Sequence, residues 1–286
     1  MLCRDGKLSL FCCSTALVVA VLPELFWRLE LNIYSRYFEN IWFAHILQYG
    51  FLNLFILLIF RGFEYQVAAR SIFLGYVIGI AIIIFSTALP SWKIFGIYMA
   101  VLAVFHYTEF LAIAWTNPPS LSVDSFVLNH SYAYGIAAFS SWIEFMIERY
   151  FFPEMKRVSL ISYFGLLLCI FGEIVRKGAI FTAKQNFNHI VQSAKSKDHE
   201  LVKHGLYGIW RHPSYVGWFY WSIGTQLILL NPLCFLAYTV TSWKFLHDRV
   251  GIEEITLLNF FGEEYVEYQK KVGTGLPFIS GYKTDL

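Results

Sequence analysis

Residues 206–218, LYGIWRHPSYVGW, gather an arginine, a histidine and two tyrosines around one proline. Pro213 suits the first turn of a helix, where its missing N–H costs nothing. The N–H groups of Ser214, Tyr215 and Val216 are then expected to be free at the helix's positive end, a seat for a carboxylate. His212 and Tyr215 stand at the same rim as donors or acceptors. A helix start with an interfacial belt of arginine, histidine and aromatics explains the same residues without chemistry. Gln192, then His199, Glu200, Leu201 and Val202, then 203–207 precede this segment. Their mixture of polar, apolar and glycine residues suits a loop folded over a small ligand, and equally a solvated connector.

Arg249, Glu253 and Glu254 follow the last apolar run. Arg249 and Glu253 are four apart and share a face if the segment is helical. A surface ion pair is the ordinary reading, yet an arginine this near a membrane boundary must snorkel or serve a buried anion. Arg176, three residues after Glu173, is a second such arginine; pairing and interfacial anchoring beside Lys177 explain it as simply. Glu109 and Glu144 lie inside apolar runs, where a protonated acid bonded to a neighbouring helix is expected.

The elements that position these residues are apolar. Of 286 residues, 57% are hydrophobic and only 15% charged, with a mean hydropathy of +0.52; soluble domains carry about 25% charged residues. The apolar residues come in long runs, which excludes disorder, a nucleic-acid binder and an ordinary cytosolic globule. The five cysteines show no CxxC or Cys/His spacing, so neither a disulfide framework nor a metal site is expected. The N-terminal run lacks a small-residue cleavage site before Pro23 and reads as a first span rather than a removed signal.

About 20 apolar residues cross a bilayer as a helix. The runs 8–27, 41–60, 71–89, 94–115, 131–147, 158–175, 214–230 and 232–246 predict an all-α polytopic membrane protein of about eight transmembrane helices. The last two form a short hairpin across Asn231 and Pro232. With the N-terminus cytosolic, 16 Lys and Arg fall on the inner side and 6 on the outer, so both termini are predicted cytosolic. Residues 1–175 and 176–286 each hold 21 charged side chains, although the second segment has only 111 residues. A membrane body of six helices (1–175) is therefore expected to carry a cytosol-facing reactive region (176–286). Within that region 252–272 reads as an interfacial amphipathic helix.

The sequence RHPSYVGW at 211–218, the preceding Gly205, Leu206 and Tyr207, and the Glu253–Glu254 pair after a hairpin resemble the membrane protein-S-isoprenylcysteine carboxyl methyltransferases. SVDSF at 122–126, NFNH at 186–189 and TGLPF at 274–278 are similar to the animal members. The likeness covers most of the chain and is densest over 173–286. Arg-His-Pro alone is shared with phospholipid methyltransferases and sterol reductases; the combination is specific. The resemblance implies S-adenosylmethionine-dependent methylation of the C-terminal carboxylate of prenylated cysteine in the endoplasmic reticulum membrane. Its implied partners are prenylated proteins and membrane lipid, without nucleic acid or metal. The family's cofactor residues fall on Gln192, His199, Glu200, Leu201, Val202, Tyr207, His212, Pro213, Ser214, Tyr215 and Glu253, and its substrate arginine on Arg249. The run Val250, Gly251, Ile252, Glu253, Glu254 is less acidic than is usual after that arginine, so either glutamate could hold the cofactor.

Chemistry sharpens the implied roles. An α-carboxyl with a pKa of about 3.5 is already ionised at neutral pH, so no general base is required of His212. Alignment can supply ~7–11 kcal/mol, and an arginine can grip a carboxylate with two parallel hydrogen bonds. Arg249 is the first candidate for orienting the substrate, with Arg176 the second. A prenyl chain gains ~0.8 kcal/mol per buried CH₂ in lipid, which favours sideways entry between helices. Trp218, Phe219 and Trp221 suit such a passage, and suit plain interhelical packing as well. Three rivals remain: a phospholipid methyltransferase, whose amine nucleophile needs deprotonation; a sterol-type reductase, which needs room for a dinucleotide; and a transporter, which typically shows paired broken helices that this sequence lacks.

Overall fold

The structure is a computed structural model that describes residues 1–28, 41–128, 132–192, 194–195 and 199–282. Most of the first outer loop counted above lies outside the described residues, as do Lys197, Lys283 and Ser131 of the fifth run. Each apolar run becomes one helix: α1 (Arg4–Arg28), α2 (Ile41–Ile59), α3 (Gly62–Thr87), α4 (Pro90–Thr116), α5 (Tyr132–Phe151), α6 (Leu160–Ala183), α7 (Pro213–Leu229) and α8 (Pro232–Phe261). A short α9 (Glu263–Lys271) follows, and no strand occurs among the described residues. In lipid every backbone polar group must be satisfied internally, which helices do within one segment. By length and composition, α1 to α4 are long and apolar enough to cross a membrane.

The chain forms two compact units. The first comprises Met1–Trp115, Leu121–Gly135 and Phe145–Ser159. Here α1 lies against α3 so closely that a Cβ on Gly75 would stand 2.2 Å from the carbonyl oxygen of Cys13. Phe110 and Phe126 stack at 4.0 Å in its core, and Glu109 is fully buried on α4.

The second unit comprises Thr116–Ser120, Ile136–Glu144 and Leu160–Leu286. Its spine is the pairing of α6 with α7. A Cβ on Gly172 would stand 2.5 Å from the Gly217 carbonyl oxygen and one on Gly217 2.5 Å from the Gly172 carbonyl; Gly165 and Gly224 meet likewise, each 2.7 Å from the other's oxygen. Glycines seven apart on both helices thus let two antiparallel backbones touch, since no side chain intervenes. Gly217→Ala is expected to cost about 1–3 kcal/mol, because the methyl group must push backbone aside. A thermal-unfolding scan in detergent that shows no loss would refute this account of the joint.

The α7–α8 turn is held by buried polar groups. Leu230 adopts a left-handed φ of 56°, and the Asn231 amide donates to the Ser141 carbonyl at 2.8 Å. The Ser141 hydroxyl donates to Gln226 Oε1 at 2.9 Å. Glu144 accepts from the Leu233 and Cys234 N–H groups at 2.7 and 2.6 Å. Glu144 is bonded to a neighbouring helix, as expected of an intramembrane acid. Both its oxygens accept, and the carboxyl caps the N-terminal donors of α8 that Pro232 leaves exposed.

Two expectations change. The second arm of the hairpin is not short: α8 continues for 30 residues to Phe261 and carries Arg249, Glu253 and Glu254 on helix. Nothing between 247 and 261 breaks it; Gly251 is tolerated and the polarity alone changes. The amphipathic stretch 252–272 is also not one helix. Gly262, at φ +54°, turns the chain and starts α9, a conformation that glycine adopts without steric cost.

Candidate active site

The site begins at the first turn of α7, where Pro213 occupies the first position as its chemistry favours. Two of the three N–H groups expected to form a carboxylate seat there are taken. The Tyr215 and Val216 N–H groups both donate to the His212 carbonyl, at 3.0 and 3.1 Å. His212 stands at the N-cap, and its own carbonyl closes the turn. Ser214 is engaged too: Arg176 Nη1, from the last turns of α6, donates to its hydroxyl at 3.1 Å and its carbonyl at 3.4 Å. The Gly172–Gly217 contact permits this, because it brings Arg176 and Ser214 level on helices whose backbones touch. What the turn offers is side chains.

Tyr215 is their centre. Its ring stacks on that of His212, centroids 5.5 Å apart and planes 7° from parallel. Its hydroxyl donates to Glu253 Oε2 and accepts from Arg249 Nε at 3.2 Å. Arg249 Nη2 donates to the His189 carbonyl at 2.7 Å. Tyr207 lies within electrostatic reach: burial pushes its hydroxyl pKa up, the Glu253 charge adds to this, and Arg176 opposes it.

The adjacent glutamates on α8 have different fates. Glu254 is fully buried and saturated. Its Oε1 accepts from Arg211 Nε at 2.8 Å, His212 Nε2 at 3.0 Å and the Tyr265 hydroxyl at 3.2 Å. Its Oε2 accepts from the Gln269 amide at 3.1 Å and the Tyr282 N–H at 2.7 Å. Burial pushes its carboxyl pKa up, but the hydrogen bonds and charges of His212 and Arg211 outweigh this and hold it below the usual carboxylate range. Glu253 has a side chain 29% exposed, and among the described residues its Oε1 meets His212 Nδ1 at 3.9 Å. Since Nε2 of His212 faces Glu254, its Nδ1 faces Glu253.

The loop ahead of the motif drapes along α8. His189 sits on Arg249, and about three turns on, Lys195 Nζ donates to the Phe260 carbonyl at 2.8 Å and lies 4.3 Å over the Phe261 ring. The His199 ring packs against Phe260 and Phe261; burial, reinforced by Lys195, lowers its pKa. Leu201 and Val202 are half-buried. Gln192 is exposed and donates back to the Ile190 carbonyl, while the Glu200 N–H donates to Asn186. The geometry thus clusters Arg176, Tyr207, His212, Ser214, Tyr215, Arg249 and Glu253, with Gln192 and Glu200 outside that cluster. Trp218 is half-buried against Phe245, whereas Phe219 and Trp221 are buried and pack as core.

Sequence reasoning gave no role to Arg211, Gln269, Tyr265 or the tail. The Gly273 and Thr274 carbonyls accept from the Arg211 and His212 N–H groups at 2.8 and 3.3 Å. Trp243 donates to the Pro277 carbonyl at 2.8 Å, and Leu276 and Ile279 bury themselves beside Val216 and Val250. The TGLPF segment was visible, but the residues it buries, Leu276 and then Ile279, follow no alternation, and Phe278 between them is exposed.

A family model described as the isoprenylcysteine carboxyl methyltransferase (ICMT) family matches residues 165–259. The Tribolium castaneum protein-S-isoprenylcysteine O-methyltransferase is 55% identical over 243 residues, 85% of each chain. The Homo sapiens protein of the same name is 55% identical over 235 residues, 82% of each chain. A solved structure of a eukaryotic intramembrane Ras methyltransferase, isoprenylcysteine carboxyl methyltransferase, superposes with a TM-score of 0.88 at 49% identity, covering 99% of this chain and all of the other. With relatives this similar over most of its length, and with the motif segment folded into one cluster, the chain belongs to the isoprenylcysteine carboxyl methyltransferase family.

Proposed function

We propose that the chain methylates the C-terminal carboxylate of isoprenylcysteine on prenylated proteins, with S-adenosylmethionine as donor. The observation that carries this reading is the line Arg249, Tyr215, Glu253: a guanidinium that can take a carboxylate and a part-exposed carboxylate that can take a cation, one hydroxyl apart. The donor set fits the cofactor. Glu253 Oε1 offers negative charge beside the His212 and Tyr215 rings, which suits the cofactor's cationic amino-acid end. Glu253 rather than Glu254 takes that role, because every oxygen of Glu254 is already committed. Tyr207, Ser214, Pro213 and the loop residues Gln192, His199, Glu200, Leu201 and Val202 complete the proposed cofactor site.

S-adenosylmethionine supplies an electrophilic methyl group on a sulfonium. Arg249 orients the ionised carboxylate for in-line attack, and Arg176 supports it through Ser214. His212 moves no proton; its ring holds that of Tyr215. Trp218 lies on the proposed path of the prenyl chain. Eight membrane-spanning helices, both termini in the cytosol, residues 176–286 as the catalytic region and residence in the endoplasmic reticulum membrane complete the proposal. Its support is that eight helices coincide with the eight apolar runs and that basic residues crowd one set of loops.

The test is radiolabelled methyl transfer from S-adenosylmethionine to N-acetyl-farnesylcysteine by the purified chain in detergent or nanodiscs. A base-labile methyl ester is expected. Transfer to phosphatidylethanolamine instead, or no transfer with either, would overturn the reading.

A further inference from the structure

Arg249 and Glu253 occupy one face of α8, four residues apart. Among the described residues no ion pair joins them directly; the Tyr215 hydroxyl lies between, accepting from Arg249 Nε at 3.2 Å and donating to Glu253 Oε2. The Tyr215 ring lies parallel to that of His212 in an offset stack, centroids 5.5 Å apart, and His212 is itself bonded to Glu254 at 3.0 Å. Resting on the functional reading above, we propose that Tyr215 is a positioning residue that makes cofactor and substrate bind cooperatively.

The reasoning follows the proton. A phenol has one proton, and here it goes to Glu253. The Glu253 carboxylate pulls on that proton, enriches the phenol oxygen and strengthens that oxygen as an acceptor for Arg249. Hydrogen bonds in a chain polarise one another in this way. Arg249 is thereby held toward Tyr215, at 3.2 Å. Once an ammonium group meets the Glu253 charge, the pull weakens, the Arg249–Tyr215 bond loosens, and Arg249 is free to take a carboxylate. Linkage is reciprocal: a carboxylate that draws Arg249 away strengthens cation binding at Glu253 by the same factor.

The experiment measures affinity rather than turnover. S-adenosylhomocysteine, which keeps the ammonium group, is titrated calorimetrically into the full chain in nanodiscs, with and without saturating N-acetyl-farnesylcysteine. In the unmodified protein the analogue is expected to tighten binding about 5- to 20-fold, within the usual range of coupling between sites. Its methyl ester has no charge to draw Arg249 away and is expected to give a factor near 1. Tyr215→Phe keeps the stacked ring and loses the hydroxyl, and is expected to bring the carboxylate's factor near 1 as well. Equal tightening by acid and ester, no tightening by either, or undiminished coupling in Tyr215→Phe would each overturn the inference. The acid and ester arms use the unmodified protein, so the test stands even if the variant fails to fold. Failure to bind S-adenosylhomocysteine at all would instead defeat the functional reading on which this one rests.

Discussion

Arg249→Ala is expected to lower kcat/KM for N-acetyl-farnesylcysteine by about 100- to 1,000-fold, the ~3–4 kcal/mol that loss of a desolvated charge partner commonly costs. Arg249 is singled out over Arg176 by what each already holds. Arg176 is buried, and its Nη1 is committed to the Ser214 hydroxyl and carbonyl across the α6–α7 joint. Arg249 is bound to two neutral acceptors, the Tyr215 hydroxyl and the His189 carbonyl. A carboxylate displaces such partners readily, because charge-assisted bonds are about twice as strong as neutral ones. Arg249→Lys keeps the charge but loses the planar fork, so activity about tenfold above the alanine variant is expected. S-adenosylhomocysteine affinity, measured in parallel without the analogue, is expected to move far less. If Arg249→Ala turns over normally while Arg176→Ala is inactive at full stability, the two arginines have exchanged roles.

Why these residues and not others were legible follows from distance along the chain. The helices could be read because a long apolar run has one backbone solution in lipid, and their boundaries shifted only where polarity, not structure, changed. That is why α8 was cut short at 246: hydropathy falls there, while the helix runs on to Phe261. The Gly262 break was invisible to an amphipathic pattern that persists on both sides of it. Within the site, 211–215 and 249–254 could be paired only through resemblance, since periodicity says nothing of which helix ends meet. The small-residue pairs that set α6 against α7 were in plain view as Gly165, Gly172, Gly217 and Gly224, but each glycine alone carries no partner's address. The carboxylate seat at α7 lost two of its three donors for a local reason: the N-cap carbonyl reached the Tyr215 and Val216 N–H groups first.

Glu254→Ala is expected to destabilise the second unit by about 3–5 kcal/mol, the usual consequence of removing one partner from a buried ion pair. Arg211 would be left buried with its Nε unanswered, although its remaining nitrogens still meet the Val272 and Ser280 carbonyls. The damage would reach further than one pair, because Glu254 joins four segments: the motif through Arg211 and His212, α9 through Tyr265 and Gln269, the tail through Tyr282, and α8 itself. Activity should fall with stability, since His212 would lose the bond that aims its ring at Tyr215. The carboxyl also fixes a pH dependence. Its folded pKa is depressed, so the native state favours the ionised form more than the unfolded chain does, and the stability it contributes is complete above about pH 4.5. As pH falls below that, protons bind the unfolded chain first and the contribution drains away through the lower, folded value. Glu254→Gln accepts on one side only and cannot titrate. It is expected to be less stable than the parent at pH 7, with the gap narrowing as pH approaches 3. The comparison is made by detergent-phase thermal unfolding from pH 7 to pH 3; parallel curves across that range would show that this carboxylate, for all its partners, does not hold the C-terminal end of α8 to the tail.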